Sequence, residues 1–371
     1  MEYLEIFSET ERILRKHDLC LLYNYLESVK PIFVGHYEDI GYIYYLSKFL
    51  SENNVPNSES QLLFSSDNLS DLIKNIKKFR KGVQRLNFCE EYSFEEFVHN
   101  YLDIPISSEE LTWSILSSCT DFEYVLGRIS GTIAAHKLPV QTEYFNPEIS
   151  FPSKISFIIC TTDDNELSES AYYIQRLLHP EHCKLDIISI HDAQSICAGY
   201  NEGMNSSESK YKIYLHQDVR IINPYFLYYI LNIFYSNPSI GILGMVGANN
   251  FSSDGYMWHS PLNGSWIQGK PDVTQSYKSD MDKLMNLMLL DGFLLATQYD
   301  IQWRDDIFDG FHFYDASQCM EFIKAGYHVA VPYQENRPWC LHDSGWSDTK
   351  EYLEYSIKFK NEYKDLLRNC P

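Results

Sequence analysis

The chain has 371 residues, which is enough for two domains and a substantial buried core. Its formal net charge is −21, from 30 Lys+Arg against 51 Asp+Glu, and no basic tract offsets this acidity, so we do not expect a nucleic-acid-binding protein. The nine cysteines are scattered without a Cys-x-x-Cys pair, which predicts reduced thiols rather than a disulfide framework or a zinc ribbon.

Residues 1–150 have the periodicity of helices. Apolar side chains recur at intervals of three and four over residues 19–29 and 72–79, and residues 107–110 resemble a helix cap with its first turn. Residues 51–60, rich in Asn and Ser, predict a loop. Because no catalytic pattern occurs in this half, we predict an all-helical domain for accessory contacts, homo-oligomerisation or acceptor binding.

Neither a signal peptide nor a membrane span is expected. The first five residues lack the basic and apolar segments of a signal peptide. The longest apolar stretch, residues 225–235, is interrupted by Asn232 and is shorter than the ~20 residues that cross a bilayer. We therefore expect a cytoplasmic protein.

The pattern changes after residue 150, where aliphatic and β-branched runs alternate with helical segments. Strands are predicted at residues 154–160, 185–190, 211–215 and 240–246, and helices at 171–178 and 224–235. Such alternation is typical of an α/β fold with a doubly wound, mostly parallel sheet. We predict one α/β domain over residues 151–371.

Polar clusters follow the first three predicted strands: residues 161–164, 191–192 and 216–218. The carboxyl ends of parallel strands meet at one edge of a sheet, where such folds bind ligands. In the third cluster, His216 and Asp218 stand two residues apart, a spacing that would hold a divalent cation against a phosphate. An isolated His-x-Asp carries little weight, so its interpretation depends on the rest of the chain.

Further segments accompany this motif in a fixed order along the chain: Phe157–Cys160, Gly199–Gly203, His216–Val219, Asp291–Phe293, Trp303–Asp306, Phe311–Asp315 and Trp339–Asp343. As an ordered set, over about residues 154–345, they resemble GT-A-fold glycosyltransferases of the family 2 type, closest to the bacterial subset with a His-Gln-Asp-Val motif. The resemblance implies the Rossmann-like, mostly parallel sheet of nucleotide-diphospho-sugar transferases. The first 150 residues lie outside it.

The resemblance implies a metal site for Mn²⁺ or Mg²⁺. Asp218 is the expected primary ligand, because an oxygen donor suits both ions, and His342 matches a late histidine that completes the site in many relatives. His216 replaces the usual first aspartate of the motif. It would ligate the metal, contact a phosphate or ribose, or pack, and a ligating imidazole would favour Mn²⁺.

The resemblance also implies the donor-binding residues. Thr161 and Asp163 would lie near the base and ribose, and Asp192 would accept a hydrogen bond from the uracil imide or a ribose hydroxyl. Turn chemistry explains Thr161 and Asp163 equally simply, since Thr and Asp often close a strand with local hydrogen bonds, whereas for Asp192 donor binding is favoured over a turn. Further donor-binding residues are implied on the same basis: Asn201, His216, Asp291, Gly292 and Arg304. For Asn201 a helix-terminating turn is an alternative, and Arg304 would otherwise pair with the acids that follow it.

Asp315 is the expected general base. It precedes an apolar helical stripe at Ala316, Met320 and Ile323, with Gly326 as the stop signal, so it lies at a helix start where the macrodipole favours a carboxylate. An ordinary helix cap has the same placement. The resemblance favours the base, because the catalytic aspartate of inverting relatives stands there.

These features predict a metal-dependent glycosyltransferase with a nucleoside-diphosphate donor and a hydroxyl of a polysaccharide or glycoprotein as acceptor. The resemblance implies UDP as the preferred donor nucleotide and inversion at the anomeric carbon. Trp258, Trp266 and Trp346 are possible acceptor platforms without an assigned role. The alternative is a catalytically silent sugar-nucleotide-binding subunit of a glycosylation complex. A nucleotidyltransferase is less favoured, because the first strand lacks a glycine-rich basic phosphate loop.

Overall fold

The computed structural model describes residues 3–16, 18–33, 141–251, 257–270, 273–276, 283–334, 338–343 and 351–368, with single positions between 43 and 96. The chain divides into two compact units. The first is Met1–Lys137 with two short later segments, Gly269–Thr274 and Ser344–Asp348. The second contains the remainder, from Leu138 onward.

The described part of the first unit begins with two helices, α1 (Tyr3–Leu14) and α2 (Leu19–Phe33). α2 confirms the helix predicted over residues 19–29, and Leu22 and Leu26 on its apolar face are buried. Asp18 caps this helix, since its carboxylate accepts a hydrogen bond from the amide of Leu21 at 2.8 Å. Of the helix predicted over residues 72–79 only Lys74 and Lys78 are described, and both are helical. The loop at residues 51–60 and the helix start at 107–110 lie outside the described residues.

The second unit is built on strands and helices that alternate along the chain, as predicted. Its strands, two of which extend into the segment assigned to the first unit, are β1 (Lys154–Thr161), β2 (Lys184–His191), β3 (Lys212–Leu215), β4 (Val219–Ile221), β5 (Ile240–Gly244), β6 (Val246–Ala248), β7 (Leu262–Gly264), β8 (Ile267–Lys270), β9 (Val273–Ser276), β10 (Met285–Leu287), β11 (Leu289–Leu290), β12 (Leu294–Thr297), β13 (His328–Val331) and β14 (Cys340–His342). Its helices are α3 (Asp164–Ile174), α4 (Ile196–Asn205), α5 (Phe226–Ser236), α6 (Tyr314–Lys324), α7 (Tyr352–Glu362) and α8 (Lys364–Arg368), with a single 3₁₀ turn at Met257–His259.

The central sheet has seven strands in the order β10-β13-β5-β12-β3-β1-β2. β1, β2, β3, β5 and β13 run parallel, whereas β12 runs antiparallel between β3 and β5 and β10 runs antiparallel beside β13. Two smaller sheets have the orders β11-β6-β7 and β4-β14-β8-β9. This mixed, mostly parallel sheet confirms the GT-A fold class predicted for the region.

Helices cover both faces of the central sheet. Along β1, Phe157 and Ile159 pack into the cluster that contains α5, and Ile158 packs into the opposite cluster with α4 and α6. Alternate side chains of a strand point to opposite faces, so a strand covered on both sides is apolar throughout. This explains the unbroken apolar runs at residues 157–160 of β1 and 213–215 of β3.

Two elements differ from their sequence-based predictions. The strand predicted over residues 240–246 is divided, because β5 ends at Gly244 and β6 belongs to a separate sheet. The helix predicted from residue 171 begins at Asp164, where Asp163 accepts hydrogen bonds from two amides of the first turn. That first turn is polar and carries no apolar periodicity, so the pattern revealed only the second half of the helix.

Residues 138–150 group with the sheet in the second unit. Gln141 accepts a hydrogen bond from the indole nitrogen of Trp339 at 2.7 Å, and its amide donates to the hydroxyl of Tyr229 at 2.7 Å. The predicted division near residue 150 stays a prediction. In the described residues, no helix combines the length and hydropathy needed to cross a membrane.

Candidate metal and donor site

The His-Gln-Asp motif forms the turn between β3 and β4. The amide of His216 donates to the carbonyl of Phe293 at 3.0 Å, and the amide of Val219 closes the turn on the carbonyl of His216 at 3.2 Å. β4 then pairs antiparallel with β14, in a register that sets His342 opposite Val219. Strand pairing therefore brings the late histidine beside the motif.

Three side chains converge at this turn. Nε2 of His342 lies 3.4 Å from Oδ1 of Asp218 and 3.4 Å from Nδ1 of His216, and that Nδ1 lies 4.0 Å from the same carboxylate oxygen. One potential ligand atom from each residue falls within 4.8 Å of the other two. The structure thus brings together the two predicted metal ligands and His216.

The electrostatics of the cluster fit a divalent cation. Oδ1 of Asp218 is buried and has no hydrogen-bond partner among the described residues. Burial alone would raise the pKa of Asp218, but His342 and His216 outweigh it and hold that pKa well below its usual range. Burial and His342 together lower the pKa of His216, which favours the neutral imidazole that binds metals. Two imidazole nitrogens and one carboxylate oxygen form a donor set suited to Mn²⁺.

Two aromatic side chains hold the histidine rings in place. The ring of Phe293 stacks on His342, with centroids 4.9 Å apart and planes 25° apart. The hydroxyl of Tyr314 is hydrogen-bonded to Nε2 of His216. The orientation of both imidazoles is therefore set by neighbours outside the cluster.

Gln217, to which the sequence analysis assigned no role, fastens the motif to the end of β1. Its side-chain oxygen accepts hydrogen bonds from the hydroxyl of Thr161 at 2.8 Å, the amide of Thr162 at 2.8 Å and the amide of Asp163 at 3.1 Å. The middle residue of the motif thus joins two strand ends that the sequence analysis had treated separately.

Arg220 is a second residue that the sequence analysis passed over. Its side chain is fully buried, forms an ion pair with Glu166 of α3, and donates to the carbonyl of Gln217 at 3.0 Å. Its position inside the short apolar run Val219–Ile221 could have indicated a buried ion pair, since a buried charge requires a partner. The ion-paired Arg220 therefore supports the His-Gln-Asp turn through its bond to the Gln217 carbonyl.

The structure shows local bonding at Thr161 and Asp163. The Thr161 hydroxyl is bonded to Gln217, and Asp163 caps α3 by accepting from the amides of Asn165 at 2.8 Å and Glu166 at 3.3 Å. These are the turn contacts weighed as the alternative to donor binding. Both residues nevertheless lie next to the motif through Gln217.

Asp315 is the second residue of α6, after an N-cap at Phe313 that makes no side-chain capping bond. Its carboxylate accepts hydrogen bonds from the amides of Gly292 at 3.0 Å and Ala316 at 2.8 Å. Burial and the adjacent Asp291 raise the pKa of Asp315 to about 7, although these two amides favour the charged form. Asp315 is therefore not the N-cap residue, and its pKa is one at which a general base operates.

Phe313 introduces α6 in a strained conformation. Its φ of 61° lies in the left-handed region that residues with a side chain seldom adopt. Such strain persists where the surrounding packing imposes it, and it often marks functional segments. Here it sets the direction of the chain immediately before Tyr314 and Asp315.

The segment Asp291–Phe293 links the cluster of His216, Asp218 and His342 to Asp315. Gly292 is packed so closely that an added Cβ would lie 2.1 Å from the Tyr314 hydroxyl. Its amide binds Asp315, and Oδ1 of Asp291 accepts from the amide of Phe293 at 3.0 Å. Because Gly292 has no side chain, the phenol of Tyr314 can pack against its backbone.

The remaining predicted donor residues make other contacts. Asn201 is buried and exchanges two hydrogen bonds of 2.9 Å with the backbone of Trp303, and Arg304 forms ion pairs with Asp306, Glu321 and Glu362. Arg304 therefore makes the contacts given above as the alternative to donor binding, namely pairing with acidic side chains. Asp192 follows β2 with an exposed side chain and a left-handed φ of 54°.

Two of the three singled-out tryptophans are described. Trp266 is buried, and Trp258, which is 43% exposed, packs on it with ring centroids 5.3 Å apart. Trp266 in turn lies 6.3 Å from Phe293. Trp346 lies outside the described residues.

Comparison with known proteins identifies the family. The glycosyltransferase like family matches residues 156–363, more than half of the chain. Among solved structures, a mannosyltransferase from Pyrobaculum calidifontis in complex with GDP-Man and Mn²⁺ is similar over 61% of this chain and 68% of its own, with a TM-score of 0.38 and 9% sequence identity. No curated protein matches the sequence. The matched residues include the whole His-Gln-Asp turn, the start of α6 and β14, so the chain belongs to the glycosyltransferase-like family of the family 2 type, as its motifs predicted.

Proposed function

We propose that this glycosyltransferase is metal-dependent and moves a sugar from a nucleoside diphosphate, UDP by preference, to an acceptor hydroxyl with inversion at the anomeric carbon. The observation that carries the proposal is the buried Oδ1 of Asp218, which has no hydrogen-bond partner among the described residues and faces His342 and His216. The two imidazoles that face this buried oxygen stabilise its negative charge and are themselves metal donors, so the cluster suits a divalent cation.

Asp218, His342 and His216 would hold Mn²⁺ or Mg²⁺. The bound cation supplies a positive charge that stabilises the diphosphate as it departs. With a net charge of −21 and 51 acidic residues, the chain has little basic surface for a diphosphate, which makes a cation the simplest partner.

Asp315 takes the proton of the acceptor hydroxyl. The acceptor oxygen then bonds to the anomeric carbon on the face opposite the diphosphate, and the bond from that carbon to the diphosphate oxygen breaks. Two amide donors orient the carboxylate, and its raised pKa of about 7 makes it a stronger proton acceptor than an ordinary aspartate. These contacts support the base over a purely structural role.

The donor nucleoside would lie across the ends of β1 and β2. Gln217 connects the metal turn to Thr161 and Asp163, and the exposed Asp192 would provide the contact to the base or ribose. The preference for UDP follows from the family resemblance alone. The acceptor, a polysaccharide or a glycoprotein, and self-association through the helical domain remain predictions.

We also propose a cytoplasmic location, from the cysteine usage of the chain. The described cysteines are all free thiols, and five of them are buried: Cys89, Cys183, Cys197, Cys319 and Cys340. Buried free cysteines behave as small apolar side chains.

Donor turnover tests the proposal directly. The protein is incubated with UDP-glucose, UDP-galactose, UDP-N-acetylglucosamine or GDP-mannose, each with Mn²⁺ or with EDTA, and water serves as the acceptor. We expect slow, Mn²⁺-dependent release of UDP from at least one donor. Donor binding without release from any of them would favour the silent sugar-nucleotide-binding subunit. A separate incubation with UTP and glucose 1-phosphate tests for a nucleotidyltransferase, which would release pyrophosphate as the sugar phosphate displaces it from the triphosphate.

A further inference from the structure

Tyr314 stands between the metal cluster and the base without belonging to either. Its hydroxyl is hydrogen-bonded to Nε2 of His216, while Nδ1 of that ring faces His342 at 3.4 Å and Asp218 at 4.0 Å. Tyr314 also directly precedes Asp315 at the start of α6. One residue thus touches a candidate ligand and adjoins the candidate base.

The Tyr314 side chain is closely confined. It is 6% exposed, and its ring packs beside Tyr200 and Trp303 at centroid distances of 6.1 Å and 6.4 Å. On the other side, an added Cβ on Gly292 would lie 2.1 Å from the hydroxyl. The phenol therefore cannot turn away from His216 without displacing well-packed neighbours.

The hydrogen bond has a consequence for the tautomer of His216. A neutral imidazole carries one N–H and one lone pair, and the nitrogen that binds a cation must present the lone pair. If Nδ1, which faces the cluster, is that nitrogen, the proton resides on Nε2 and is donated to the Tyr314 oxygen. A partner on the outer nitrogen of a ligating histidine fixes both its tautomer and its ring orientation.

We infer that Tyr314 is the positioning residue of the metal site, and that it holds His216 with the proton on Nε2 and the lone pair of Nδ1 directed at the cation. This inference rests on the metal site of the proposed function. It also makes the start of α6 a shared support, because the residue that orients the ligand is bonded to the residue that serves as base.

The chain offers a matched control for Tyr314→Phe. Tyr200 is a neighbouring, fully buried tyrosine, and its hydroxyl makes no hydrogen bond to any described residue. Tyr200→Phe removes the same atom from the same part of the core without touching His216. The comparison therefore separates loss of the His216 contact from loss of a buried hydroxyl.

Mn²⁺ affinity without nucleotide is measured by calorimetry for the wild-type protein and both variants. We expect Tyr314→Phe to bind Mn²⁺ roughly 10- to 100-fold more weakly, the usual cost of removing such a partner, and Tyr200→Phe to bind like wild type. Equal affinity in Tyr314→Phe and wild type would overturn the inference. A wild-type protein that binds no Mn²⁺ would instead refute the metal site, and the inference with it.

A second measurement does not depend on a variant that folds. In wild-type protein labelled with ¹⁵N-histidine and loaded with diamagnetic Cd²⁺, NMR reports which ring nitrogen of His216 carries the proton. The inference requires a protonated Nε2 and a cadmium-bound Nδ1. Cadmium on Nε2, or a protonated Nδ1, would overturn it.

Discussion

The carboxylate of Asp315 accepts a hydrogen bond from the backbone amide of Gly292 at 3.0 Å. Gly292 belongs to the segment whose next residue, Phe293, stacks on the candidate ligand His342. One short connection between β11 and β12 therefore contacts both the candidate base and the candidate metal ligands.

Asp315→Asn is expected to abolish transfer while preserving donor binding. The amide keeps the size of the side chain but cannot take a proton, and a general base contributes about 10²–10⁴-fold to the rate. Steady-state kinetics and UDP calorimetry measure the two properties. The control is Asp305→Asn, which changes an exposed aspartate in the connection between β12 and α6. Near-wild-type turnover in Asp315→Asn would remove the base assignment.

Activity should rise with pH through the titration of Asp315. Burial and Asp291 raise the pKa of Asp315 to about 7, and only the deprotonated form accepts the acceptor proton, so kcat/KM should increase from pH 6 to pH 8 with a midpoint near 7. A profile that is flat across this range would contradict the assignment.

The raised pKa of Asp315 should make the free energy of unfolding fall with rising pH, whereas activity rises. An acid whose pKa is raised on folding, here from 3.8 to about 7, binds more protons in the native state between those values. The free energy of unfolding therefore decreases as pH rises from about 4 to 7 and is lowest above 7. In Asp315→Asn, denaturant unfolding at a series of pH values should show a weaker decrease over this range. An unchanged slope would mean that the carboxylate titrates normally.

Asp218→Ala should remove metal-linked stabilisation. A cation that binds only the native state adds about 2.7 kcal/mol at a hundred times its Kd, which raises the Tm of the wild-type protein. The variant should show no Mn²⁺-dependent rise. Asp186→Ala, which removes a partly exposed carboxylate paired with Lys154 on the sheet, should respond like wild type. A full Mn²⁺ response in Asp218→Ala would exclude this residue as a ligand.

Gln217→Leu should destabilise the protein and loosen the end of β1. The substitution removes the acceptor shared by the Thr161 hydroxyl and the amides of Thr162 and Asp163, at an expected cost of about 1–2 kcal/mol in the free energy of unfolding. Gln217→Glu retains an acceptor oxygen and should recover most of this loss. If both variants unfold like wild type, Gln217 does not support the turn.

The framework of the site could be predicted because it depends on local patterns. Apolar runs marked β1, β2 and β3, and the polar residues after them meet at one sheet edge because parallel strands share a direction. The convergence of Asp218 and His342 was expected from the family resemblance. The antiparallel pairing of β4 with β14 gives its physical reason.

Contacts between distant residues were not predictable. Gln217 reaches Thr161 across 56 positions, and Tyr314 reaches His216 across 98, and neither side chain stands out in its own segment. Arg304 pairs with the neighbouring Asp306, which the sequence analysis allowed, but its ion pairs with the distant Glu321 and Glu362 were not predicted. A motif fixes the residue type at a position, whereas the partners of its side chain depend on the packing of the whole unit.

We expect the His-Gln-Asp turn to form a metal-dependent nucleotide site. Calorimetry measures the binding of UDP, with GDP and CMP as controls, each in Mn²⁺ and in EDTA. We expect UDP binding that is selective over GDP and CMP and disappears in EDTA. Absence of binding to all three nucleotides by folded protein in Mn²⁺, or UDP affinity unchanged by EDTA, would contradict it.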